Sequence, residues 1–257
     1  MCGCAWLYRS RINGGVSGSR YASFKLGLQH RLTESFLPVT IMIASIRVSC
    51  ALCSSDDTRL FHESENREYH HCQVCDVVFV PSSFFVSTVD EKAKYDNHKN
   101  TPEDKGYCTF LDKLLIPLQK HLKEGDEGLD FGSGPGPTVS IMMNARGYKM
   151  DIYDIFYHDK PAVFEKQYDF ITSTEVIEHL HNPLQEIEKL WGCLKEGSVL
   201  GLMTAFRVED FSTWYYKRDL THIIFFTPRT FEWLAKKLGA RVTIPESGVV
   251  ILKKELS

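Results

Sequence analysis

From residue 127 onward, short apolar runs at 128–131, 150–153, 170–173 and 198–204 alternate with segments at 138–145, 183–194 and 230–238 whose apolar residues recur at helical spacing. Such alternation predicts an α/β fold, a parallel sheet wrapped by helices. The last segment, "RVTIPESGVVILKK", reads as two strands joined by a turn at Glu246, Ser247 and Gly248. Upstream, "CTFLDKLLIPLQKHL" spaces its apolar residues like an amphipathic helix, with Pro117 marking a kink. A polar stretch precedes it, so 83–117 reads as a connector with a helix, ahead of a main domain at 118–257. Residues 45–82 hold β-prone runs such as "CDVVFV" and form a small module of their own.

Residues 1–44 lack sustained apolar periodicity, and their first forty hold several Arg but only Glu34 as an acid. They read as a disordered or extraneous extension, either an organelle presequence or sequence upstream of a start at Met42.

With 43% hydrophobic residues the chain can bury a core, and its net charge of −3, with both signs interspersed, gives no bias toward polyanions. Nucleic acid is therefore not indicated. The longest apolar stretch, 36–46, is broken by Pro38 and falls short of the roughly 18–20 residues of a membrane span. Four of the eight cysteines form two C-x-x-C pairs, and no apolar signal peptide is visible, which points to a reducing cytoplasm.

In "GLDFGSGPGPT", 128–138, a strand runs into Gly132, Ser133, Gly134, Pro135 and Gly136 and then into a helix. Bare backbone there permits tight turning and close approach of a nucleotide-like ligand, although a strained turn would use similar glycines. The third glycine comes one residue early for the dinucleotide fingerprint, which disfavours a pyrophosphate-binding dehydrogenase. The order acid–x–Gly–x–Gly–x–Gly, led by Asp130, resembles motif I of class I S-adenosylmethionine-dependent methyltransferases. "YKMDIYDIF" ends a second strand at Asp154, where a carboxylate can accept from both ribose hydroxyls. "KQYDFITSTEVIEHL" and "CLKEGSVLGLMT" resemble the family's next two blocks.

The resemblance spans about 118–254. It implies a Rossmann-like, doubly wound, mostly parallel sheet and a cofactor site of Asp130, Gly132, Ser133, Gly134, Gly136, Asp154, Thr174 and Glu175. It also implies methyl transfer to an acceptor, which we expect to be a small molecule. An RNA or sugar acceptor, or a binding protein without catalysis, remain alternatives. Only thirteen residues separate Asp154 from Tyr168, too few for the family's usual helix and third strand, so the adenine pocket is undefined.

Cys50 and Cys53 precede Cys72 and Cys75 by a spacer of eighteen residues, the spacing of a four-thiolate zinc ribbon. A redox pair or free thiols are the alternatives. Glu175, Glu178 and His179 stand at i, i+3 and i+4, so a helix beginning after Thr174 would project all three from one face, with His222 in a later loop. The combination resembles ubiquinone-pathway O-methyltransferases and small-RNA 3′-end 2′-O-methyltransferases, which implies a divalent cation such as magnesium on Glu175, Glu178, His179 and His222. Without metal, His179 or His222 is the catalytic base. Trp214, Tyr215, Tyr216, Lys217 and Arg218 either line the acceptor site or serve as core and surface.

Overall fold

The strands form where the apolar runs predict them: the runs at 128–131, 170–173 and 198–203 are buried on both faces, while that at 150–153 is only half-buried. In the computed structural model, which describes residues 48–64, 66–97 and 100–256, the elements in chain order are β1 (Thr58–Ser64), β2 (Arg67–Cys72), β3 (Val78–Phe79), α1 (Thr88–Tyr95), α2 (Lys105–Gln119), β4 (Glu127–Phe131), α3 (Thr138–Ala145) and β5 (Lys149–Tyr153). They continue with β6 (Tyr168–Thr174), α4 (Pro183–Gly192), β7 (Leu194–Met203), β8 (Ile224–Phe225), α5 (Pro228–Leu238), β9 (Ala240–Glu246) and β10 (Val249–Lys254). The expected extension at 1–44 lies outside the described residues.

Among the described residues the larger sheet has six strands in the order β5-β4-β6-β7-β10-β9. Strands β5, β4, β6 and β7 run parallel, and the β9–β10 hairpin closes the other edge antiparallel. Side chains alternate between the two faces. Val199, Met203, Val249 and Ile251 pack with Leu111, Leu114, Leu115 and Leu118 of α2 and with Met143 of α3. Their neighbours Leu200, Leu202, Val250 and Leu252 pack with Ile187 and Leu190 of α4 and Phe231 and Leu234 of α5. Helix α2, which falls in the expected connector, thus covers one face of the sheet. Local signals fix the ends: Thr227 and Thr230 form a capping box at the start of α5, and Gly239 closes it in the left-handed conformation. The fold is the expected α/β, Rossmann-like one with helices on both faces. Between β5 and β6 only a single 3₁₀ segment, Pro161–Glu165, intervenes, so β5 is an edge strand.

The second sheet has the order β1-β2-β3-β8. Its fourth strand comes from residues 224–225, far along the chain: Val78 pairs with Phe225 and Phe79 with Ile224. The cysteine-bearing module shares one continuous apolar core with the α4–α5 face, through Leu52, Tyr69, Val77 and Phe79 on its side and Phe225, Phe226 and Phe231 on the other.

Candidate active site

At the carboxyl ends of β4, β5 and β6 lies a cavity of about 620 Å³. Its wall includes all eight residues expected to meet a cofactor, together with His179 and His222. The glycine loop is pinned from beneath: Gly132 and Ser133 donate backbone N–H groups to the Tyr153 carbonyl at 2.8 and 3.1 Å. Asp154 Oδ2 accepts from the Gly134 N–H at 2.9 Å, and its Oδ1 accepts from the N–H groups of Phe156 and Tyr157 at 2.8 and 3.1 Å. This carboxylate therefore holds two loops in register beside the cavity. Ile155, next to it, is an apolar side chain 67% exposed in the cavity wall.

The glycines turn out to differ in purpose. A Cβ on Gly136 would collide with the backbone carbonyl of Asn100, and one on Gly132 with the Val176 side chain. At Gly134, with φ +63°, a Cβ would meet nothing, so this residue alone of the three presents bare backbone to open space. Beneath the loop, Asp130 is buried and accepts from the Thr172 hydroxyl at 2.8 Å. Burial pushes its carboxyl up to about 7; the Thr172 hydrogen bond works against that rise and the Asp154 charge adds to it.

The helix expected after Thr174 does not form. Glu175 has φ +53° and donates its N–H to the Met203 carbonyl at 2.8 Å, so only Ile177–His179 makes a 3₁₀ turn. Glu175 therefore leaves the face shared by the other two. Glu178 (0% exposed), His179 and His222 do converge: one ligand atom from each lies within 4.8 Å of the others. His179 Nδ1 donates to the Thr221 carbonyl at 3.0 Å and His222 Nδ1 to the Tyr216 carbonyl at 2.8 Å. A carbonyl only accepts, so in the neutral form of either ring Nε2 carries the lone pair. Burial lowers the His222 pKa, with Asp219 opposing, which favours the neutral ring.

Tyr216, one of the aromatics without a settled role in the sequence, ties the acids together. Its hydroxyl donates to Glu178 Oε1 and stands 3.2 Å from Glu175 Oε2. Glu178 Oε2 is buried with no hydrogen-bond partner among the described residues. Burial pushes the Glu178 carboxyl up to about 7, while the Tyr216 hydrogen bond restrains it; Glu175 is raised well above the usual carboxylate range by burial and by Glu178. Trp214 is core and Tyr215 is 68% exposed. Lys217 turns away to His62, with Nζ 2.9 Å from Nε2. Tyr95 of α1 lines the cavity and packs edge-on against His179, a contact no sequence motif signals.

The four paired cysteines also converge, their sulfurs all within 4.8 Å of one another. Cys50 and Cys75 are 3.6 Å apart and Cys53 and Cys72 3.5 Å. The hydrogen bond from Cys75 draws the Cys50 thiol down to about 5 while pushing Cys75 up, and burial raises Cys53 to about 12.

No curated protein matches the chain. Among solved structures it is similar to an S-adenosylmethionine-dependent methyltransferase of Methanosarcina mazei (16% identity, 55% of this chain and 98% of that one, TM-score 0.40). Another is a methyltransferase of the same description from Archaeoglobus fulgidus (18%, 58% and 99%, 0.44). A third is the 1,6-didemethyltoxoflavin-N1-methyltransferase of Burkholderia thailandensis, solved with S-adenosylhomocysteine (12%, 77% and 99%, 0.44). The family model described as "Methyltransferase domain" matches residues 100–243, from the Asn100 that closes over the glycine loop through the hairpin strand β9. That match takes in more than half of the 257 residues, and the chain belongs to this family, as an S-adenosylmethionine-dependent methyltransferase.

Proposed function

We propose that the enzyme methylates a hydroxyl group of a small molecule beside a divalent cation held by Glu178, His179 and His222. The observation that carries this reading is the orphaned Glu178 Oε2, wholly buried beside two imidazoles whose Nδ1 atoms are already spent on backbone carbonyls. A buried carboxylate oxygen without a donor is costly, and a cation among these three groups removes that cost. Two imidazoles and one carboxylate suit a first-row ion such as Mn²⁺ better than Mg²⁺, which prefers an all-oxygen shell. Such an ion would supply a lowered pKa for the acceptor hydroxyl. Tyr216 orients Glu178, and the Thr221 and Tyr216 carbonyls fix the two imidazole tautomers, the usual arrangement behind a metal-bound histidine.

On the cofactor side, S-adenosylmethionine would lie along Gly134 with its ribose toward Asp154, its adenine against Ile155, and its positive charge near Asp130. The methyl group then faces the wall formed by Tyr95, His179 and His222. Acidic Glu91 and Asp219 stand in that wall and repel a polyanion, which favours a small hydroxyl compound, a sugar included, over RNA.

We also propose that the cysteine cluster holds zinc. Four sulfurs at 2.3 Å from one tetrahedral ion stand about 3.8 Å apart, close to the 3.6 and 3.5 Å found for the two cross-pairs. Unpaired thiols in such number suit a reducing compartment, and the cytoplasm is the proposed location.

Mn²⁺ binding, followed by electron paramagnetic resonance in the presence of S-adenosylhomocysteine, tests the cation site. Glu178→Gln should weaken Mn²⁺ at least tenfold and change the nucleotide's affinity less than threefold. Wild-type protein that takes up no Mn²⁺, or takes it up equally well in Glu178→Gln and His222→Ala, would leave His179 as a base acting without metal.

A further inference from the structure

We propose that Arg67, on the cysteine-bearing module, is a positioning residue of the acceptor side: it holds the 217–222 loop, and His222 with it, against the second sheet. The inference rests on the placement of His222 in the acceptor site given above.

Arg67 opens β2 and is only 4% exposed. Its Nη2 donates to the carbonyl of Leu220 at 2.9 Å, two residues before His222, while its guanidinium lies 5.7 Å from the Tyr69 ring centroid. Nε and Nη1 are buried with no hydrogen-bond partner among the described residues. A buried guanidinium with unspent donors is expensive, and an apolar side chain would fill the same space at less cost. What the apolar side chain cannot do is hold the Leu220 carbonyl.

That loop needs holding. Past His222 it is anchored on both sides, by the Ile223 N–H donating to the Glu178 carbonyl at 2.9 Å, by the Val80 N–H donating to the Ile223 carbonyl at 2.9 Å, and by the pairing of β8 with β3. Before His222 the chain crosses from Tyr216 to Thr221, where the Tyr216 hydroxyl reaches Glu178, Lys217 reaches His62 and the Thr221 carbonyl accepts from His179. The Leu220 carbonyl between them is held by Arg67, beside the Lys94–Asp219 ion pair at 3.1 Å. Since His222 Nδ1 must meet the Tyr216 carbonyl, a shift of this stretch unseats the imidazole. The glycine loop and Asp154 are tied to β5 and do not depend on it.

The test uses full-length Arg67→Met, with Arg67→Gln as the second variant in case the first does not fold, and Arg67→Lys as rescue. Long-range ¹H–¹⁵N spectra of the imidazoles, assigned with His222→Gln, report the His222 tautomer without need of a cation or acceptor. Calorimetry with S-adenosylhomocysteine reports the cofactor side, and Mn²⁺ affinity the acceptor side. The expected result for Met or Gln is a mixed His222 tautomer and at least tenfold weaker Mn²⁺ binding, with nucleotide affinity within twofold of wild type and the single tautomer restored in Lys. An unchanged His222 signal in both Met and Gln overturns the proposal. So does parallel loss of nucleotide affinity and thermal stability, which marks Arg67 as a general stabiliser. Wild-type protein that binds no Mn²⁺ refutes the cation reading alone, because the tautomer still answers for Arg67.

Discussion

Replacing Asp130 by Asn should make the cofactor-free protein more stable at pH 8 and leave it nearly unchanged at pH 4. Asp130 is fully buried, and its carboxyl rises from 3.8 to about 7 through burial, partly offset by the Thr172 hydroxyl. The folded state thus holds a proton that the unfolded chain has lost across this window. Stability from this group is fully present below pH 3.8, falls as pH rises, and is gone above about 7. At about 1.4 kcal/mol for each pH unit of separation, the loss is on the order of 4 kcal/mol. For a chain of this size, roughly 2–4 °C of melting temperature per kcal/mol makes it about 8–16 °C.

Other carboxylates run in the opposite sense, Asp219 being held at about 2 by the Thr221 hydrogen bonds and nearby cations against its burial, so the raw curve of either protein mixes several groups. The difference between wild type and Asp130→Asn isolates the one site. A constant cost of accommodating the amide displaces that difference without tilting it. Thermal unfolding at fixed ionic strength from pH 4 to 8 is the assay, and a difference independent of pH would refute the reasoning. The same substitution should weaken S-adenosylmethionine at pH 8, because the carboxylate that destabilises the empty cavity is the one that would face the cofactor's positive charge, a trade of stability for function.

Two glycines give a paired test. Gly136→Ala forces a Cβ into the Asn100 carbonyl and should lower the melting temperature by several degrees, an overpacking cost of about 1–3 kcal/mol. Gly134→Ala meets no atom but keeps φ +63°, so it should cost only about 1–2 kcal/mol of backbone strain and at least tenfold in S-adenosylmethionine affinity; equal effects of the two on affinity would mean the cofactor does not lie on Gly134. Metal analysis of the purified protein should give one zinc per chain, lost in Cys50→Ser or Cys72→Ser, and zinc-free protein with all thiols titratable would remove the ribbon metal.

The glycine-loop side of the cavity was readable because its signals are local. Apolar runs set β4, β5 and β6, and the glycine loop and Asp154 lie on consecutive strand ends, so spacing along the chain carried over to spacing in the cavity. The short passage from Asp154 to Tyr168 likewise foretold the missing strand. What spacing could not give was the reason for each glycine. Gly136 is bare because Asn100 crosses it from thirty-odd residues upstream, a contact with no trace in the motif itself. The i, i+3, i+4 pattern failed for a physical reason too. The Glu175 N–H is claimed by β7, and a left-handed residue at the head of the turn breaks the helical face that the spacing assumed.

The cluster of Glu178, His179 and His222 draws on segments that sequence order keeps apart. Glu178 and His179 come from the turn after β6, Tyr216 and His222 from the loop before β8, Tyr95 from α1, and Arg67 reaches in from the module that carries the cysteines. Burying Glu178 and Glu175 together is unfavourable on its own, since each raises the cost of ionising the other. The Tyr216 hydroxyl offsets part of that cost, and it can do so only while the 215–218 turn stays where the second sheet holds it. The cysteine cluster, by joining the turn before β1 to the turn after β2 at one end of that hairpin, supports the sheet where its own core is small. The pair of acids and the four thiols are thus linked through one loop. If the thiols hold the proposed zinc, its removal should be felt first at His222 and Tyr216 and last at the glycine loop, whose anchors lie within the larger sheet.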